Sequence, residues 1–171
     1  MQKFLIYINF KTFTDMITEE IKEYIDRSVL CWLSTVDTTG VPNVSPKETF
    51  SYYKEKLLIA HIASPNSIKN IRHNPNVCVS FIDIFIQKGF KLKGKAEIII
   101  EAHDLFKIYY SLLSSIYSDK LPIKAVIEVT ITHVSRIVAP SYFFFPETKE
   151  EDQIASAKEL YLKKIYYGYH R

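Results

Sequence analysis

The chain has 171 residues, of which 47% are hydrophobic and 24% charged, and it carries a formal net charge of +3. That size suits one domain with a substantial core, and the composition is that of a soluble globular protein. Its 22 lysines and arginines are scattered rather than massed and no apolar run is long enough to span a bilayer, which sets aside a nucleic-acid surface and a membrane span. Cys31 and Cys78 each sit in an apolar β-like run, outside any C-x-x-C pair. They read as buried thiols of a reducing, cytoplasmic compartment rather than a disulfide or zinc framework.

Residues 1–15 read as an N-terminal extension, since the stretch MQKFLIYINF lacks a small-residue cleavage site; an extra edge strand is the alternative. Residues 16–171 read as one domain. A helix is predicted over 17–27, with Ile21, Tyr24 and Ile25 at helical spacing and Glu19 and Glu20 near its favourable N-terminal end. Val29 to Val36 follows as a buried strand. Asp37 to Gly40 makes a hairpin turn, with Gly40 free to take a positive φ. Val41 to Tyr53 is a second strand, and Pro42 and Pro46 mark it as an edge or a bulge because each removes a ladder donor. Lys54 to Lys56 turns the chain into a third strand, Leu57 to Ala63.

Ser64 then suits a helix N-cap, and Pro65 its first position. Asn74-Pro75 ends that helix. Val77 to Ile86 is a fourth strand, and Phe90 to Ile100 a fifth, paired across Gln87 to Gly89. Residues 102–117 read as a helix with Leu105, Tyr109, Leu112, Leu113 and Ile116 on one side. Lys124 to Val138 is a sixth strand. Ser141 to Phe145 reads as a buried aromatic segment, against a second subunit, and Lys149 to Tyr167 as a final helix. Strands that follow one another without crossover helices call for an antiparallel barrel rather than a doubly wound sheet.

Chemistry concentrates after the third strand. A helix N-terminus presents free N–H groups and a positive dipole end, and Asn66, Ser67, Lys69 and Asn70 add polar donors there, so the segment can hold a phosphate. An ordinary capped connector has the same pattern. The four glycines, Gly40, Gly89, Gly94 and Gly168, are too far apart for G-x-G-x-x-G or a P-loop. No zincin, nucleophile-elbow or kinase motif occurs, and the five histidines are too dispersed to make a zinc site by spacing.

Three segments in order, G-x-P-N-V-S-P-K at 40–47, A-S-P-N-S-I-K-N-I-R-H-N-P-N-V at 63–77 and I-Q-K-G-F-K-L-K-G-K-A-E at 86–97, resemble the pyridoxamine 5′-phosphate oxidase-like FMN-binding split-barrel proteins. The resemblance covers about residues 17–138. It implies a mainly β (α+β) fold: a six-stranded antiparallel split β-barrel of Greek-key type with peripheral helices, assembled as a homodimer with FMN at the subunit interface. It places the second strand, Asn43, Val44, Ser45 and Lys47, beside the flavin and ribityl chain. Of these, Asn43, Ser45 and Lys47 alternate onto one face. It places Ser64, Asn66, Ser67, Lys69 and Asn70 at the phosphate, and Gln87 and Lys88 at the flavin ring, from the same chain or its partner.

Where family members often carry an arginine–lysine pair at the phosphate, this chain has Asn66 and Ser67, with Lys69 the nearest cation. No match exists to the arginine- and tryptophan-bearing C-terminus used for substrate by true pyridoxamine phosphate oxidases, so vitamin B6 oxidation is not implied. The resemblance points to an FMN-dependent oxidoreductase of a small molecule. The alternatives are a non-catalytic flavin carrier or redox sensor, and a barrel holding haem or a deazaflavin. No catalytic acid or base and no metal ligand is assigned.

Overall fold

The computed structural model describes residues 16–116 and 122–169. The expected extension at 1–15 lies outside those residues. The strands are β1 (Cys31–Val36), β2 (Pro42–Lys47), β3 (Phe50–Tyr53), β4 (Lys56–His61), β5 (Asn76–Asp83), β6 (Lys88–Ile99) and β7 (Ala125–Val138). The helices are α1 (Glu19–Arg27), α2 (Pro65–His73), α3 (Phe106–Ser114), α4 (Ser141–Phe144) and α5 (Glu150–Tyr169). All strands join one antiparallel sheet in the order β2-β1-β5-β6-β7-β4-β3.

Seven strands appear where six were expected, because Val41 to Tyr53 is two strands. β2 pairs with β1 and β3 with β4, at opposite ends of the sheet. The chain crosses between them in Glu48 and Thr49, and the Thr49 carbonyl accepts from the Ala60 N–H at 2.9 Å. The sheet therefore curls until a two-residue bridge joins its edges, giving a split half-barrel. Pro42 and Pro46 sit on β2, an edge strand with β1 as its one neighbour in the sheet, which is where a sheet tolerates proline. The β6–β7 register slips between Lys93 and Gly94. A Cβ at Gly94 would stand 2.3 Å from the Thr130 carbonyl oxygen, so glycine is required where the strand bends.

Several details differ from expectation. Val29 is exposed and precedes β1 rather than opening it. Ile84 to Ile86 is a turn, although the run is apolar, because the Asp83 carboxylate accepts from the Phe85 and Ile86 N–H groups at 2.9 and 3.3 Å and folds the chain back. Phe143, Phe144 and Phe145, expected to be buried, are exposed on this chain, because α4 is a single turn lying outside both cores.

The main core fills the barrel with Leu33, Val79, Phe81, Phe90, Leu92, Ile127 and Val129. α1 closes it with Ile21, Tyr24 and Ile25, and α2 with Ile68 and Ile71. Thr18 caps α1 by accepting from the Ile21 N–H at 3.4 Å. A second core lies on the other face of β4 and β7, where Leu58, Ala60 and Val126 meet Phe106, Tyr109 and Leu113 of α3. β4 is thus covered on both faces, which is why Leu57 to Ala60 is continuously apolar.

Candidate functional site

β2, β4 and α2 meet at one corner of the barrel. Lys47 ends β2, His61 ends β4, and Ser64 stands at the N-cap position of α2. The Ser64 hydroxyl makes no capping bond. Instead it accepts from the Lys47 ammonium, and the His61 Nδ1 lies 3.4 Å from the same oxygen. The first-turn N–H groups of Asn66 and Ser67 are therefore left without an intrahelical or capping acceptor.

Lys47 is only 7% exposed, and among the described residues no carboxylate forms an ion pair with it. Burial holds its ammonium below the ordinary lysine value. The His61 imidazole is held low first by burial and then by the charges of Lys47, Lys124 and Arg72, so it favours the neutral form. Cys31 lies opposite Lys47 in the ladder, but burial pushes its thiol up to about 12, too high for a thiolate nucleophile near neutral pH. Ser67, one turn into the helix, is 1% exposed, and its Oγ has no hydrogen-bond partner. Buried hydroxyls in native proteins nearly always have one. A cavity of about 200 Å³ opens at this corner, lined by Ser45, Lys47, Thr49, Ala60 and Ser64 among others.

The structure sorts the residues singled out from sequence into three groups. Ser45, Lys47 and Ser64 line the corner cavity, while Ser67 is buried in the first turn of α2 and is not part of its lining. Asn43, Asn66, Lys69 and Asn70 line a neighbouring cavity of about 340 Å³, beneath the Asp37–Gly40 turn. There the Asn43 and Asn70 amides both donate to the Thr35 hydroxyl, at 3.2 and 3.1 Å, and tie β2 and α2 to β1. Lys69 and Asn66 are exposed at its mouth. Gln87 and Lys88 lie at the β5–β6 hairpin, outside both cavities. Gln87 takes a φ of +56°, and Lys88 pairs with Glu150 at 2.7 Å. Val44 points to the outer face of β2, opposite Asn43 and Ser45, and is exposed.

Two participants were not anticipated. By spacing alone His61 is one of five dispersed histidines; its position three residues before an N-cap serine, at the end of an apolar strand, is the signal that identifies it. Thr35 is an ordinary strand residue by sequence, and only packing makes its hydroxyl the shared acceptor.

No curated protein sequence matches the chain. Solved structures share its fold. An FMN-binding protein from Syntrophomonas wolfei is 13% identical with a TM-score of 0.61, over 71% of this chain and 86% of that one. The haem storage protein HutZ from Vibrio cholerae is 19% identical with a TM-score of 0.59, over 70% and 92%. An F420 reductase is 25% identical with a TM-score of 0.56, over 70% and 98%. The fold is thus shared by proteins described as FMN-binding, as an F420 reductase and as haem storage. Residues 17–137, from α1 through β7, match the family model described as pyridoxamine 5′-phosphate oxidase, and the chain belongs to that family.

Proposed function

We propose that the chain binds FMN by its phosphate at the Lys47–Ser64–α2 corner and serves as a flavin-dependent oxidoreductase of a small molecule. One observation carries the reading: a buried ammonium whose partner is a hydroxyl rather than a carboxylate. A buried cation without a counter-ion is costly, and an anion delivered by a ligand removes that cost. The orphaned Ser67 Oγ and the free first-turn N–H groups add neutral donors at the start of the same helix, so the residues fit a phosphate. They also offset the Asn66-Ser67 replacement of the usual cation pair.

In this reading Ser45 and Lys47 bind and orient the ligand beside β2, and Lys47 holds its proton to meet negative charge. Hydride or electron transfer is the chemistry that FMN itself supplies. Gln87 and Lys88 reach the ligand from a second copy in a homodimer, since their own hairpin lies outside both cavities.

The second reading, a barrel for F420 or haem, draws on the missing cation pair and on the neighbours that carry those names. The visible spectrum of the purified protein separates the readings. A flavin spectrum, or quenching of added FMN, is the expected result, and FMN at one hundred times its Kd adds about 2.7 kcal/mol of stability. A colourless protein whose melting temperature ignores FMN overturns the proposal, and a Soret band or a deazaflavin spectrum installs the second reading. Turnover with NADH or NADPH and an acceptor then distinguishes an oxidoreductase from a carrier.

A further inference from the structure

Lys47, Ser64 and His61 form one hydrogen-bonded chain, and its end member controls what its middle member can offer. The Ser64 hydroxyl has one proton to donate and two lone pairs that accept. The Lys47 ammonium occupies one lone pair. The His61 Nδ1, 3.4 Å from the same oxygen, either takes the hydroxyl proton or donates to the second lone pair. In the first arrangement the hydroxyl points at His61 and turns a bare lone pair toward the cavity. In the second its proton is released toward the cavity, beside the Lys47 ammonium. An anion needs the second arrangement, which requires a proton on Nδ1, supplied by that tautomer or by the imidazolium.

His61 is placed to change its proton without moving. It ends β4, paired in the ladder with Ala125, and its carbonyl accepts from the Lys124 N–H at 2.9 Å. It does not line the corner cavity, so it reaches a ligand there through Ser64. Its half-buried ring lines a separate cavity of about 490 Å³ with Lys69, Arg72 and His73 of α2, which gives a proton a way in. No carboxylate lines that second cavity. Lys47 from β2, Lys124 ahead of β7 and Arg72 from α2 surround the imidazole with positive charge and, with burial, keep it neutral in the free protein. Glu48, exposed, is the carboxylate in the lining of the corner cavity, and it forms no ion pair among the described residues. A phosphate or sulfate in the corner opposes that positive charge and favours the imidazolium.

We propose that His61 is a positioning residue that aims the Ser64 hydroxyl at an anion in the corner and takes up a proton as that anion binds. This rests on the corner being the phosphate site proposed above. The sign follows from linkage: the anion prefers the protonated ring, so its affinity increases as pH falls through the histidine range.

The test follows the His61 imidazole by NMR on the full chain from about pH 5 to 8, without anion, with sulfate and with FMN. Sulfate keeps its charge over that range, whereas the FMN phosphate has its own second pKa of about 6, so sulfate isolates the protein's proton. Sulfate should raise the His61 pKa by about one unit and bind about tenfold more tightly at the acid end. In His61→Asn the amide can still donate to Ser64 but does not titrate, so sulfate affinity should be flat with pH. Ser64→Ala removes the link, so the sulfate-induced change at His61 should shrink. If His61→Asn does not fold, the native chain and Ser64→Ala carry the test. A His61 pKa unmoved by sulfate, an equal pH slope in native and His61→Asn, or a full shift in Ser64→Ala overturns the inference. FMN that fails to bind while sulfate still moves His61 overturns the flavin reading and supports this one. FMN that binds with His61 unmoved does the opposite.

Discussion

Two lysines of the barrel, Lys56 and Lys47, have partners that differ in kind. Lys56, on β4, lies 2.9 Å from Glu128 and donates to Thr130 at 2.6 Å. Glu128 is buried and also accepts from the Tyr109 hydroxyl at 2.6 Å, which ties α3 to β7. Burial and that hydrogen bond both raise the Tyr109 pKa, so the phenol stays protonated and keeps donating. Every group in this network has a partner, and it holds structure together. Lys47, more deeply buried than Lys56, has a hydroxyl and no carboxylate, and Ser67, three residues after that hydroxyl's Ser64, has nothing. A buried charge that the fold itself neutralises is architecture, whereas one left for another molecule to neutralise marks a binding site.

The sharpest way to break this comparison is to remove each centre in turn. Glu128→Ala strands the Tyr109 hydroxyl in the second core and should cost about 3 kcal/mol of stability by urea unfolding, with FMN uptake unchanged. The contribution from Lys56 is the smaller part, because its half-exposed ammonium is screened by water. An unshifted urea midpoint would deny the network a structural role. Lys47→Met should do the reverse: the ligand-free protein keeps or gains stability, while FMN affinity, by fluorescence titration, falls by about 2 kcal/mol.

The pH dependence has a definite sign. The Lys47 pKa lies below 10.5 in the folded chain, so it loses its charge earlier there than in the unfolded chain. Across that alkaline window FMN affinity should decline as pH rises, while the stability of the ligand-free protein increases. The Lys47→Met variant should lose both trends; their persistence would assign them to another group. Smaller again, Ser67→Ala removes an unsatisfied hydroxyl, so it should leave folding unharmed while costing about 1 kcal/mol of FMN affinity. Ser67→Asp should abolish binding by repulsion. Lys69→Ala, at the exposed mouth of the neighbouring cavity, should weaken binding by only a few tenths of a kcal/mol. Equal affinities across these three variants would move the phosphate away from α2.

Much of the fold was legible because its signals are local. Periodic Ile21, Tyr24 and Ile25, the Asp37–Gly40 turn, the Ser64-Pro65 start and the Asn74-Pro75 stop each depend on residues a few positions apart, and the structure has those elements. Ile84 to Ile86 misled because hydrophobicity favours a strand, while the Asp83 side chain dictates a turn. The split of the second strand was likewise hidden, since two edges of a sheet must meet before Glu48 and Thr49 become a bridge.

The alternation of Asn43, Ser45 and Lys47 was enough to put these side chains on one face, and the spacing after Ser64 to suggest an anion site. Only the tertiary structure decided that the Ser64 hydroxyl turns from its helix to Lys47, that Asn43 and Asn70 join on Thr35, and that Gln87 and Lys88 bond to the C-terminal segment at Ala139 and Glu150. Hydrogen-bond partners 17 and 35 residues away in sequence, as for Lys47 with Ser64 and Thr35 with Asn70, exist only after the barrel has closed. Local pattern sets which groups are offered, and closure sets which are consumed within the protein and which remain for a ligand.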